Sequence, residues 1–171
     1  LLLCLALSYG LSLYHFRDEA RSLAEANARR VADILHSGDV VLAMESSGLH
    51  SNGYSLVRHV LDKQPSWTLD RYVPELGQTL GDELLTPTRV YARDCLALIG
   101  GVEMHAMSHV TGGGLASNLA RVIPDSCQVN IDRTTWHPAP IFRLIERLGE
   151  ISQSDLEATF NMGVCMAAVV P

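Results

Sequence analysis

The sequence predicts an α/β (α+β) domain, a layered mixed β-sheet packed with helices, and three observations predict it. Short β-branched runs alternate with stretches of helical apolar spacing along most of the chain. Two of the strand-to-helix joints are loops rich in glycine and polar groups, Ser46 to Gly53 and Thr111 to Gly114. The 171 residues are 47% hydrophobic and 19% charged, an ordinary balance for one globular core.

The same composition excludes some functions. A formal net charge of -6, with Lys and Arg spread along the chain, leaves no basic footprint for nucleic acid. Cys4, Cys95, Cys127 and Cys165 are far apart, without a CxxC pair or a nearby His at finger spacing, so reduced thiols are expected rather than a zinc or redox site. The chain opens without Met and is expected to be a fragment or to have a processed start. Leu1 to Tyr14 is apolar but falls short of the roughly 20 residues a spanning helix needs, and no membrane partner is expected.

Taken in order, Phe16, Ala20, Leu23, Ala24, Val31 and Ile34 fall at helical spacing with Arg and Glu between them, which predicts an amphipathic helix over 16–34. Asp39 to Met44 is a short buried strand. After the first loop, Leu56, Val57, Val60 and Leu61 repeat as a helix, with Ser51 or Asn52 expected to cap it. Gln64 to Gly81 reads mostly as loop. Thr86 as N-cap with Pro87 at the first helical position predicts a helix whose face is Val90, Tyr91, Cys95, Leu96 and Ile99, ended by Gly100 and Gly101. Val102 to Val110 is a strand, and Leu115, Leu119 and Val122 begin a helix directly after the second loop. Cys127 to Asp132 alternates as a half-buried strand, and Pro138 to Leu148 is an amphipathic helix. Ser154 with Glu157 forms a capping box for a short helix through Phe160, and Val164 to Val170 is the last strand.

Chemistry is expected at the two loops. A helix that starts at a glycine-containing loop aims unpaired N–H groups and the positive end of its dipole at the loop's occupant, which favours phosphate or carboxylate. His50 beside Ser51 and Asn52 offers a titratable ring next to two neutral hydrogen-bond groups, suited to orienting a ligand and moving a proton. The alternative is that the imidazole ties the loop together. Three successive glycines at Gly112 to Gly114 let a backbone approach a ligand closely, though a flexible turn explains such a run equally well. His105 and His109 share a strand face without a third ligand at suitable spacing, so no metal site is expected. Arg89 is either held for an anionic partner or is a solvated surface group.

The run Ser46-Ser47-Gly48-Leu49-His50-Ser51-Asn52-Gly53-Tyr54-Ser55-Leu56-Val57-Arg58 resembles the signature of phosphoribosylformylglycinamidine cyclo-ligase, also called aminoimidazole ribonucleotide synthetase, in its carboxy-terminal domain. The resemblance continues, in the family's order, through Leu84 to Tyr91, His105 to Leu115 and Phe160 to Val164. It divides the chain into 38–171, similar to that domain, and an atypical 1–37. It implies an ATP-dependent ring closure in purine biosynthesis, in the cytoplasm. The substrate would be formylglycinamidine ribonucleotide, with ATP and Mg2+, and a homodimer is implied for the full-length enzyme. Carried over residue by residue, His50 and Asn52 would be catalytic. Ser46, Ser47, Gly48, Ser51, Gly53, Thr111, Gly112, Gly113 and Gly114 would bind substrate or phosphate. The family's ATP-binding amino-terminal domain has no counterpart in the resembling stretch, so the chain alone is expected to hold half a site and to be inactive. The alternative is a non-catalytic remnant serving as an association or membrane-attached module. Where this chain has Cys165 the family usually has Gly, and a side chain there is expected to crowd the packing of the last strand.

Overall fold

Val40–Glu45 (β1), Ala106–His109 (β4) and Val164–Val170 (β5) form a three-stranded sheet in the order β1-β5-β4. The computed structural model describes residues 38–171; the helix expected over 16–34 lies outside the described residues. Both pairings are antiparallel, with Val41 opposite Val169 and Ser108 opposite Ala167, so the layered α/β fold is as expected and its strand directions alternate. The central strand carries the sheet's burial, with Cys165, Ala167, Ala168 and Val169 all inside. The register shifts between Met44 and Glu45, where Cys165 is passed over as the pairing goes from Met166 to Val164, and such a bulge bends the ladder where the first loop begins.

The main apolar core sits among helices. Tyr54–Asp62 (α1) buries Val57 and Val60, and Pro140–Gly149 (α5) buries Ile141, Phe142, Leu144 and Ile145. The spacing of those four residues gives α5 one apolar stripe, and Pro140 starts it where a missing N–H costs nothing. Leu156 and Phe160, from and just after Gln153–Thr159 (α6), close the core, with the Phe142 and Phe160 rings edge-on at 5.9 Å. Each such side chain contributes about 1.5–3 kcal/mol by leaving water.

Several local expectations are corrected. The connection read as loop contains a small hairpin, Tyr72–Val73 (β2) with Gln78–Thr79 (β3), and a short helix, Leu80–Leu84 (α2), capped by Thr79 through the Asp82 N–H. Thr86 does not cap the helix that follows but donates back to the Asp82 and Glu83 carbonyls of α2, and that next helix is Ala92–Gly101 (α3), which buries none of its residues. Its expected face is largely in solvent, apart from Tyr91, which precedes the helix and is buried. The strand expected over Cys127 to Asp132 does not form a ladder; that segment lines a cleft of about 1020 Å3 floored by Val41, Ala43, Ala167 and Val169. Ser152, rather than Ser154, caps α6 by accepting the Asp155 N–H.

Candidate functional site

The first loop joins β1 to α1 and the second joins β4 to Gly114–Leu119 (α4). Neither helix has a side-chain cap. The expected caps Ser51 and Asn52 are displaced by Gly53, in the left-handed region at φ 76°, and Gly113 does the same for α4 at φ 99°. Among the described residues, no acceptor is bonded to the N–H groups of Tyr54 and Ser55 in the first turn of α1, or to those of Gly112 and Gly113.

Both loops pack on one turn, Phe160 to Gly163. A side chain at Gly53 would collide with the Phe160 ring, and one at Gly114 would collide with the Glu157 carbonyl and come within 3.3 Å of the Phe160 carbonyl. Asn161, fully buried, ties the turn to the first loop. Its amide donates to the carbonyls of Gly48 (2.9 Å) and Leu49 (3.3 Å), and its oxygen accepts from Ser46 Oγ and the Gly163 N–H. Asn118 does the same for the second loop, donating to the carbonyls of Thr111, Gly112 and Gly114, while its oxygen accepts from Thr111 Oγ1. Two asparagine side chains thus collect loop carbonyls inward and leave loop N–H groups outward.

Of the expected site residues, Ser47 and Ser51 are exposed, as are Gly112 and Gly113; Ser46, Asn52, Gly53 and Thr111 are half-buried, and Gly48, His50 and Gly114 are buried. His50 is not a free acid or base. Its Nε2 lies 3.0 Å from both the backbone N and the Oγ of Ser47, and its Nδ1 lies 3.1 Å from Cys165 Sγ. Burial, and secondarily the charge of His109, lowers its pKa below the usual 6.5, so the ring is neutral. Ser47 Oγ in turn donates to the Pro87 carbonyl (2.7 Å) and accepts from the Arg89 N–H (3.2 Å), fastening the first loop to the segment before α3. The Arg89 guanidinium lies 5.3 Å from the Tyr91 ring and pairs with Asp94 at 2.9 Å. Cys165 is fully buried, 3.1 Å from His50 Nδ1, and the register shift between β1 and β5 falls at its position.

Sequence reasoning missed Asn118, Asn161 and the Cys165 contact. Asn161 stood in a quoted motif, but nothing in its neighbours revealed that its amide reaches over a hundred positions back along the chain. The N–H and hydroxyl groups left on the surface of the loops fit phosphate oxygens. They do not fit Mg2+, which wants oxygen ligands, since the carbonyls of Gly48, Leu49, Thr111, Gly112 and Gly114 are taken by asparagine and no group of three His, Cys, Asp or Glu gathers among the described residues.

A family model described as AIR synthase related protein, C-terminal domain, matches residues 36–171. The chain belongs to this family. A protein from Streptomyces fradiae, provisionally named phosphoribosylformylglycinamidine cyclo-ligase, is 60% identical over 136 residues, covering 80% of this chain and 75% of that protein. Phosphoribosylformylglycinamidine cyclo-ligases from Alkaliphilus metalliredigens and Pseudothermotoga lettingae are 40% and 46% identical, over 80% and 77% of this chain. Of those two proteins the chain spans only 39% and 38% of the length. The loops, the Asn118 lacing and the Phe160 to Gly163 turn all fall inside the family match.

Proposed function

We propose that this chain forms the carboxy-terminal wall of an ATP-dependent cyclo-ligase that converts formylglycinamidine ribonucleotide to aminoimidazole ribonucleotide in the cytoplasm. The observation that carries the reading is the family match over residues 36–171, within which two N–H-lined loops meet on one buried turn. In the reaction the formyl oxygen takes the terminal phosphoryl group of ATP, an amine nitrogen attacks the activated carbon, and phosphate leaves. ATP brings the phosphoryl donor, and Mg2+ when bound shares its charge. Ligands for that ion would come from the part of the longer relatives outside this chain, and a homodimer would complete the cleft.

The work of the described residues is electrostatic. N–H groups of Tyr54 and Ser55, with Gly112 and Gly113, present fixed donors to phosphate oxygens at no reorganisation cost. Exposed Ser51 and half-buried Asn52 stand beside them as polar contacts for the substrate, with Ser47 at the loop's outer edge. His50 shapes the loop from beneath, so Asn52 is the remaining candidate for direct contact with reacting atoms.

The test is an amide NMR titration of the purified chain with ribose 5-phosphate. Shifts confined to Gly48–Ser55 and Thr111–Gly114 are the expected result, and unmoved loop resonances at millimolar ligand would reject the site. The same chain with Mg2+, ATP and formylglycinamidine ribonucleotide is expected to release no phosphate. Loss of one preorganised donor already costs about 100- to 1000-fold in rate, and here a whole wall is missing.

A further inference from the structure

The two contacts between Ser47 and His50 Nε2 ask opposite things of the ring. The Ser47 backbone N–H can only donate, and its hydrogen is fixed by the peptide plane, so Nε2 must offer a lone pair to it at 3.0 Å. The hydroxyl can rotate, and it already donates to Pro87 and accepts from Arg89. The backbone contact therefore decides the tautomer. With Nε2 as acceptor, the proton of the neutral ring is on Nδ1, directed at Cys165 Sγ 3.1 Å away. An imidazolium would set an Nε2 proton against the Ser47 N–H. A thiolate is equally disfavoured, because Cys165 is fully buried and burial raises its pKa. Tyr91, which also meets the Cys165 thiol, gives its hydroxyl proton to the Glu45 carbonyl at 2.7 Å and so leaves the thiol to His50 as acceptor.

We infer that Cys165 is a positioning residue: its neutral thiol accepts the Nδ1 proton of His50, holds the imidazole as the Nδ1–H tautomer, and thereby sets the Ser47–His50 turn beneath the phosphate-facing loop. The positioning is needed because His50 is itself held in the left-handed region, at φ 57°, which a non-glycine residue occupies only when its surroundings fix it. The chain of contacts runs from the central strand through the thiol and imidazole to Ser47, and from Ser47 to Arg89. The last strand thus controls the loop through one hydrogen bond to sulfur. That the loop faces phosphate rests on the function proposed above.

Nitrogen-15 NMR of the His50 ring in the whole chain tests the inference. The expected wild-type spectrum at pH 8 shows a pyrrole-type Nδ1 and a pyridine-type Nε2. An Nε2–H or charged ring there overturns the inference. Cys165→Ser keeps an acceptor and is expected to keep the Nδ1–H tautomer. Cys165→Ala leaves the Nδ1 proton without its acceptor and is expected to free the ring from the Ser47 N–H, giving a mixture of tautomers, and to weaken inorganic phosphate binding about tenfold, the loss of roughly one buried hydrogen bond. Unchanged tautomer and affinity in Cys165→Ala, or a switched tautomer in Cys165→Ser, overturn it. Wild-type chain that binds no phosphate while showing the Nδ1–H ring rejects the ligand reading of the loop and supports the thiol's hold on His50.

Discussion

Gly114 has both a backbone angle and a neighbour that forbid a side chain. Its φ is 71°, and a Cβ would overlap the Glu157 carbonyl, which belongs to helix α6 and has little room to retreat. The left-handed angle costs an L-residue about 1–2 kcal/mol and overpacking typically adds about 1–3. Gly114→Ala is therefore expected to lower unfolding free energy by about 2–5 kcal/mol in urea. Gly100, inside α3 with nothing within 4 Å of a Cβ, is the internal control. Gly100→Ala is expected to stabilise by about 0.5–1 kcal/mol, and equal midpoints for the two variants would contradict the packing described. Asn161→Ala strands the Leu49 carbonyl and the Gly163 N–H and leaves the Ser46 hydroxyl and the Gly48 carbonyl only their mutual bond at 3.1 Å. At about 1–3 kcal/mol per buried orphan, partly relieved by water, a loss of several kcal/mol is expected in the same measurement.

At the scale of elements, what the sequence revealed was whatever depends on neighbours in the chain. Helix α5 was legible because Ile141, Phe142, Leu144 and Ile145 repeat at helical spacing, and β5 because Val164 to Val170 is an unbroken apolar run. The two loops were legible as glycine joints; their convergence on Phe160 to Gly163 was not, because it is made by tertiary contacts alone. Cys127 to Asp132 alternates as a strand would, yet pattern cannot supply a partner, and the segment forms no ladder. Thr86-Pro87 looked like a helix start, but Ser47 holds the Pro87 carbonyl and the Arg89 N–H, keeping that stretch out of the helix until Ala92. His105 links the elements flanking β5: its Nδ1 meets Asp39 at 2.7 Å, next to β1, while its Nε2 is 3.6 Å from Glu103. The Asp39 hydrogen bond, opposed by desolvation and aided by the charges of Asp39 and Glu103, raises its pKa above 6.5. The stabilisation is then complete below pH 6.5 and fades as pH rises through the folded-state value. Urea midpoints are expected to fall over that interval in the wild type and to fall less in Asp39→Asn; parallel pH profiles would refute the link.

Across the whole molecule, apolar surface is divided unevenly between a core that is closed and a helix that is open. Phe142 is 1% exposed within the helical core, whereas Leu96 and Ile99 on α3 are 68% and 59% exposed. An apolar stripe that stays in water contributes nothing to folding, so its removal should leave this chain's stability alone. Leu96→Gln and Ile99→Gln, which keep helix propensity, are each expected to change unfolding free energy by no more than about 0.5 kcal/mol. Phe142→Ala, which empties a packed site against Phe160, is expected to cost about 3–5 kcal/mol. The contrast is measured by urea unfolding of the three variants under one condition, scored on midpoints at constant slope. A loss above about 1.5 kcal/mol for either glutamine variant would mean that α3 is packed in solution and that the open face described here is closed by the chain itself. A near-neutral result would instead confine the stability of the chain to the helical core and the sheet, with α3 carried on them as an appended helix held chiefly through Tyr91 and Arg89.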